Sequence, residues 1–159
     1  MHKEKTCCFT GHRQINKSDI PKIKAVLENK LIQLIELGYI YFESGGALGF
    51  DTIAAQSVLN LRKKYPEIKL ILVLPCKSQS HSWSNDDKNI YEDIKRQSNE
   101  IIYTSDEYFR GCMHKRNRYL VDGSNICISY LITPSGGTAY TVEYAKKRGN
   151  YIINIADEI

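Results

Sequence analysis

Residues 112–143 read CMHKRNRYLVDGSNICISYLITPSGGTAYTVE. In order, the segment presents a helix over about Cys112–Val121 that carries the cation Arg116, a strand over Asn125–Ile132, the turn Ser135-Gly136-Gly137-Thr138, and a carboxylate, Glu143, on a helix spanning Ala139–Arg148. A strand that runs through a glycine turn into a helix is the unit from which parallel sheets are built. The same order forms one end of a phosphate-binding cleft, because the unpaired N–H groups at a helix start favour an anion.

Working outward, the alternation continues in both directions. Residues 6–10 form an apolar strand that stops at Gly11. Apolar positions at Ile20, Ile23, Val26, Leu27, Leu31, Leu34 and Ile35 give a helix over 19–37, with Ser18 as the expected N-cap and Gly38 as its end. Strands follow at 39–43, 68–74 and 100–103, and helices at 50–64 and 86–98; Tyr151–Ile155 is the last strand. Units of this length imply parallel strands joined by right-handed helical crossovers. The expected architecture is a three-layer, Rossmann-like α/β fold with a mainly parallel sheet, as one domain over residues 1–159.

The bulk properties bound the function. The chain has 159 residues, 42% apolar and 25% charged, which suits one soluble domain with a sizeable core. No apolar run approaches the roughly 20 residues that span a bilayer, so no membrane partner is expected. The N-terminus passes from Met1-His2-Lys3-Glu4-Lys5 into a short apolar run ending at Gly11, unlike a secretory leader, and the expected compartment is the cytoplasm. The formal charge of +4 is mild and does not by itself imply nucleic acid. The run Lys146-Lys147-Arg148 closes a helix, where it complements the dipole. The five cysteines match no zinc spacing, and Cys112 with His114 lacks a second pair of ligands, so neither metal nor other cofactor is expected.

In an open parallel sheet the ligand crevice lies beyond the carboxyl ends of the strands. There the chain offers Gly11-His12-Arg13, then Ser44-Gly45-Gly46-Ala47-Leu48-Gly49-Phe50-Asp51, then Pro75-Cys76 with Gln79 and Trp83, and finally Pro134-Ser135-Gly136-Gly137-Thr138. Two glycine clusters on one edge point to phosphate more firmly than either alone. Neither is GxGxxG or GxxxxGK[ST], which disfavours a hydride-transferring dinucleotide enzyme and a P-loop NTPase. Arg116 and Asn117 read either as a solvated helix face or as a fork for phosphate and ribose. Trp83, the single tryptophan, reads either as core or as a platform for a base.

Together these residues resemble the small bacterial YpsA-like proteins of the SLOG superfamily, end to end. The matching pieces are Cys8-Phe9-Thr10-Gly11-His12-Arg13, Ser44 to Asp51, Pro75-Cys76 with Gln79 and Trp83, Arg116-Asn117, and Gly136-Gly137-Thr138 with Thr141, Glu143 and Tyr144. The resemblance implies a Rossmann-like fold and a nucleotide or nucleotide-derived ligand, without naming a reaction. Gly45, Gly46, Gly136, Gly137 and Thr138 would cradle its phosphate, with Arg116 neutralising it. Asp51 would cap a helix or meet a ribose hydroxyl, and Gln79 or Trp83 would close over a base.

Two related groups pull in different directions. Met113-His114-Lys115-Arg116-Asn117 and Ser135 to Glu143 resemble motifs of the LOG phosphoribohydrolases, whose catalytic arginine and glutamate would fall on Arg116 and Glu143. Ser135, Ala139 and Asn117 depart from that pattern. DNA-processing protein A shares a comparable glycine-and-acid turn and binds single-stranded DNA. The modest, dispersed charge here argues against a nucleic-acid partner, and a homo-oligomer is expected by analogy only.

Overall fold

The computed structural model describes residues 2–159; Met1, where the reading of the N-terminus begins, lies outside them. Strands and helices alternate as β1 (Thr6–Gly11), α1 (Ile20–Glu36), β2 (Tyr41–Ser44), α2 (Phe50–Arg62), β3 (Lys69–Leu74), α3 (Asn85–Gln97), β4 (Glu100–Tyr103), α4 (Cys112–Asp122), β5 (Ile126–Tyr130), α5 (Gly137–Lys147) and β6 (Tyr151–Asn154). The strands lie in one sheet, ordered β4-β3-β2-β1-β5-β6, and each neighbouring pair is parallel. This is the expected three-layer, Rossmann-like α/β fold.

Strand alternation sorts the core into two faces. Phe9, Phe42, Leu70 and Leu72 point to the side covered by α1, α2 and α3, where Ile23, Leu27, Leu31, Ala54 and Val58 meet them. Phe9 packs edge-on against Phe50, the first residue of α2, with centroids 6.4 Å apart. Cys8, Cys127, Ile71 and Val73 point the other way, towards Leu120 and Val121 of α4 and Ala145 of α5. Each fully buried Leu, Ile or Phe contributes roughly 1.5–3 kcal/mol, so the first face carries most of the apolar stabilisation.

A few boundaries differ from the sequence expectation. A short 3-10 turn, Lys17–Asp19, precedes α1, so Asp19 rather than Ser18 takes the cap position, without a side-chain bond. Strand β2 begins only at Tyr41, because the N–H of Tyr39 still bonds back to Leu34 O at 3.0 Å and belongs to the helix end. Helix α5 starts at Gly137, two residues early, and so takes in part of the glycine turn. Among the described residues no helix is long and apolar enough to cross a membrane.

On the α4 side of β2, Glu43 is a cost of the architecture. It is 8% exposed and its Oε1 finds no partner among the described residues. Burial, with Glu100 nearby, pushes its carboxyl up to about 7.

The strand order fixes where a ligand can enter. The chain steps outward from β1 through β2, β3 and β4, then returns to lay β5 on the opposite side of β1. The loops after β1 and β5 therefore leave in opposite directions and open a crevice between them.

Candidate functional site

That crevice is a cleft of about 340 Å³. Thr10 to Arg13 line it from the end of β1, Thr133 and Ser135 to Thr138 from the end of β5, and Met113, His114, Arg116 and Asn117 from α4; Ala47 and Asp51 close its floor. His12 ties the two loops together. Its Nε2 accepts the N–H groups of Ile132 at 2.9 Å and Thr133 at 3.2 Å. An imidazole nitrogen that accepts two amides carries no proton, so the ring is the neutral Nδ1–H form, and burial pulls its pKa down in the same sense.

The turn after β5 is built open. Gly136 has φ +97°, a left-handed value that side-chain-bearing residues rarely adopt, and a Cβ on Gly136 or Gly137 would meet no atom within 4 Å. No side chain caps α5. The N–H groups of Gly137, Thr138 and Ala139 find no acceptor among the described residues, and the first regular bond of the helix runs from Tyr140 N to Gly136 O at 3.0 Å. Gly137 and Thr138, with the positive end of the helix dipole, line the cleft, and no carboxylate lines it on that side among the described residues. Arg13 is exposed at the opposite wall.

The turn after β2 is built closed. A Cβ on Gly45 would lie 2.6 Å from Nη1 of Arg116 and 2.9 Å from Oδ2 of Asp51, so only glycine lets these side chains meet over the backbone. Arg116 is 3% exposed. Its Nη1 donates to the carbonyls of Gly45 and Val73, the latter at 3.3 Å, and its Nε donates to Asn117 Oδ1 at 2.8 Å. Gln79 donates to Gly45 O at 3.3 Å and to the Tyr91 hydroxyl at 3.2 Å. Asp51 accepts the Ala47 N–H through Oδ2 at 3.3 Å; burial pushes its carboxyl up to about 6, against the opposing pull of Arg116 and of that amide. The N–H of Phe50, at the start of α2, is already taken by His12 O at 3.1 Å.

Residues 7–157 match the model of the YspA SLOG family. The chain belongs to this family. It is 33% identical over 138 residues, 79% of each chain, to an uncharacterized SPbeta prophage-derived protein, YoqJ, of Bacillus subtilis. Its fold is similar to DNA processing protein A of Streptococcus pneumoniae (TM-score 0.67, 17% identity, 94% of this chain and 49% of that one). It thus spans about half the length of that protein. The same protein of Helicobacter pylori, described by its single-stranded DNA binding mode, gives a TM-score of 0.65 at 19% identity, covering 98% of this chain and 71% of that one. The expectation against a nucleic-acid partner is therefore withdrawn. This fold occurs in a protein that binds DNA, and a mild, dispersed charge does not separate the two.

In this SLOG chain the cleft gathers Gly11, His12, Arg13, Asp51, Arg116, Asn117, Gly136, Gly137 and Thr138 from the sequence-derived set. Gly45, Gly46, Gln79 and Trp83 do not line it. The first three are packed beneath its floor, and Trp83 lies against Tyr91 with ring centroids 5.0 Å apart. Glu143 is exposed on α5, paired with Lys146 at 3.4 Å, and also lies outside the cleft. Asp51 is the one carboxylate lining it among the described residues. Thr10, Ala47, Met113, His114, Thr133 and Ser135 line the cleft without having been singled out as site residues. Met113, His114 and Ser135 sat inside quoted motifs, whereas Thr133 carried no signal, because only the tie to His12 brings its backbone there.

Proposed function

We propose that this SLOG chain binds a nucleotide or nucleotide-derived ligand and seats its phosphate on the turn after β5. One observation carries the reading: the neighbouring N–H groups at the start of α5 have no partner among the described residues, and two of their residues, Gly137 and Thr138, line a cleft of ligand size. Arg13, exposed across the cleft, supplies the countercharge. Arg116 has a different part in this reading. With its guanidinium spent on the Gly45 and Val73 carbonyls, it stiffens the floor and offsets the charge of Asp51. Binding is favoured over glycosidic cleavage, because the Arg116–Glu143 pairing that such turnover would borrow from LOG enzymes is split between the cleft and the outer face of α5.

Thermal unfolding and calorimetry with inorganic phosphate, ribose 5-phosphate and AMP test this. A ligand at a hundredfold excess over its Kd should add about 2.7 kcal/mol of stability. Absence of protection by all three rejects the reading.

A second reading has its own observation. Beside the same turn, Tyr140 is 41% exposed and takes a hydrogen bond from Arg118 at 3.2 Å, while His114 lies 4.3 Å from its ring and Lys115 stands exposed on α4. Aromatic and cationic groups alternating along a rim suit single-stranded nucleic acid, whose backbone phosphate would use the same amides. Oligonucleotide affinity that falls steeply with salt supports this; no binding at low salt rejects it.

A further inference from the structure

We propose that a second hollow, adjoining the cleft across Arg13, receives the ring of an amino-bearing nucleobase on the same ligand. This rests on the phosphate reading above and adds a base subsite to it. The hollow holds about 260 Å³ between the start of α2 and the side of α3. Arg13 lines both spaces, and residues around the start of α2 divide between them: Ala47 and Asp51 line the cleft, Leu48 and Thr52 the hollow. The His12–Arg13 backbone packs on Gly49 and Phe50, so a ligand with an anionic end and a ring would reach both spaces by lying across the Arg13 side chain.

The lining fits an aromatic ring. Trp83, Leu48, Ile15 and Ile90 provide apolar surface, and Ile90 is 40% exposed. Trp83 is half-buried and held edge-to-face on Tyr91 at 71°, which fixes the indole without enclosing it. Tyr91 is anchored in turn by Gln79, the residue that also holds the Gly45 carbonyl. The polar lining includes Arg13, Lys17, Thr52 and Asp87, and its one carboxylate among the described residues is that of Asp87. Its backbone N–H caps onto Ser84, but its carboxylate makes no hydrogen bond among the described residues. An ionised carboxylate only accepts, so it selects a ring that donates, as the exocyclic amine of adenine, guanine or cytosine does.

Trp83 is the only tryptophan, so its emission reports on this hollow alone. The experiment titrates the full chain with inorganic phosphate, ribose 5-phosphate, AMP and IMP, following Trp83 emission and, in parallel, calorimetry. Phosphate and ribose 5-phosphate should bind without changing the emission. AMP should change it and bind at least tenfold tighter than ribose 5-phosphate, with IMP weaker than AMP. Trp83→Leu, checked for folding by circular dichroism, should reduce AMP affinity to that of ribose 5-phosphate and leave the latter unchanged. Asp87→Asn should narrow the gap between AMP and IMP.

If AMP binds no tighter than ribose 5-phosphate, or binds with Trp83 silent, the base subsite is wrong and the phosphate site stands. If AMP and IMP bind equally with Trp83 responding, the amine preference is wrong. If phosphate and ribose 5-phosphate fail to bind while AMP perturbs Trp83, the phosphate reading fails and the subsite survives. Silence towards every compound overturns both.

Discussion

Gly45-Gly46 after β2 and Gly136-Gly137 after β5 stand on the same edge of one sheet, each in a connection that leads into a helix. The first pair is covered by the protein itself: Arg116, Asp51, Gln79, Leu74 and Tyr91 crowd the space a side chain would need. The second pair is covered by nothing, and its helix leaves its first donors free. Two turns of similar composition thus differ in their surroundings: one is packed into the protein, the other is open. What separates them is the long-range partner: an arginine 71 residues further along the chain reaches the first turn and not the second.

The sharpest way to break this contrast is to remove that partner. Arg116→Met should leave Asp51 buried without its countercharge and lower stability by about 3–5 kcal/mol in denaturant unfolding. A loss below 1 kcal/mol would mean that the floor does not depend on it. Next, Gly45→Ala should cost about 3 kcal/mol by overpacking against pinned side chains, whereas Gly137→Ala should change stability by less than about 1 kcal/mol, because its Cβ enters open space. Equal costs would erase the distinction.

Acidity should also tell the turns apart. Asp51, in the first turn of α2 and bonded to the closed turn through Ala47 N–H, and Glu43 in β2 have carboxyls raised by burial to about 6 and about 7. A folded pKa above the unfolded one means that folding favours the protonated form. That contribution is complete below about pH 4 and is lost as pH rises through 6 to 7, by roughly 2–3 kcal/mol per group. Unfolding measured from pH 4 to pH 8 should show the decline, and Asp51→Asn and Glu43→Gln should each flatten it. A flat wild-type profile would refute the assignment.

The smallest expected effect is the most selective one. Gly137→Pro deletes one N–H at the first helical position, where proline is well tolerated. Stability should stay within about 0.5 kcal/mol, while phosphate affinity should fall tenfold or more, about 1.5 kcal/mol, for the loss of one bond to a charged acceptor. Unchanged affinity would move the anion elsewhere.

Much of the fold was legible because parallel strands buried on both faces read as short apolar runs, and the five helices carry regular spacing or glycine ends. The cleft's position followed as well, since strand ends mark it. The roles of single residues did not. Arg116 and Glu143 sit in motif-like surroundings, yet one guanidinium turns inward to backbone carbonyls and the other side chain turns outward to Lys146. Local sequence does not specify which helix face meets the sheet when polar residues occupy both. His12 was chosen for its place after a strand, but its bonds to Ile132 and Thr133 join positions some 120 residues apart, beyond the reach of any local pattern.

The uncapped start of α5 also bears on how the protein should be handled. On the phosphate reading proposed above, sulfate or phosphate in a purification buffer would occupy those amides as a biological anion would. A melting temperature taken in such a buffer would then describe a loaded protein, and weak ligands would look inert beside it. Preparations in chloride with a cationic buffer give the proper baseline.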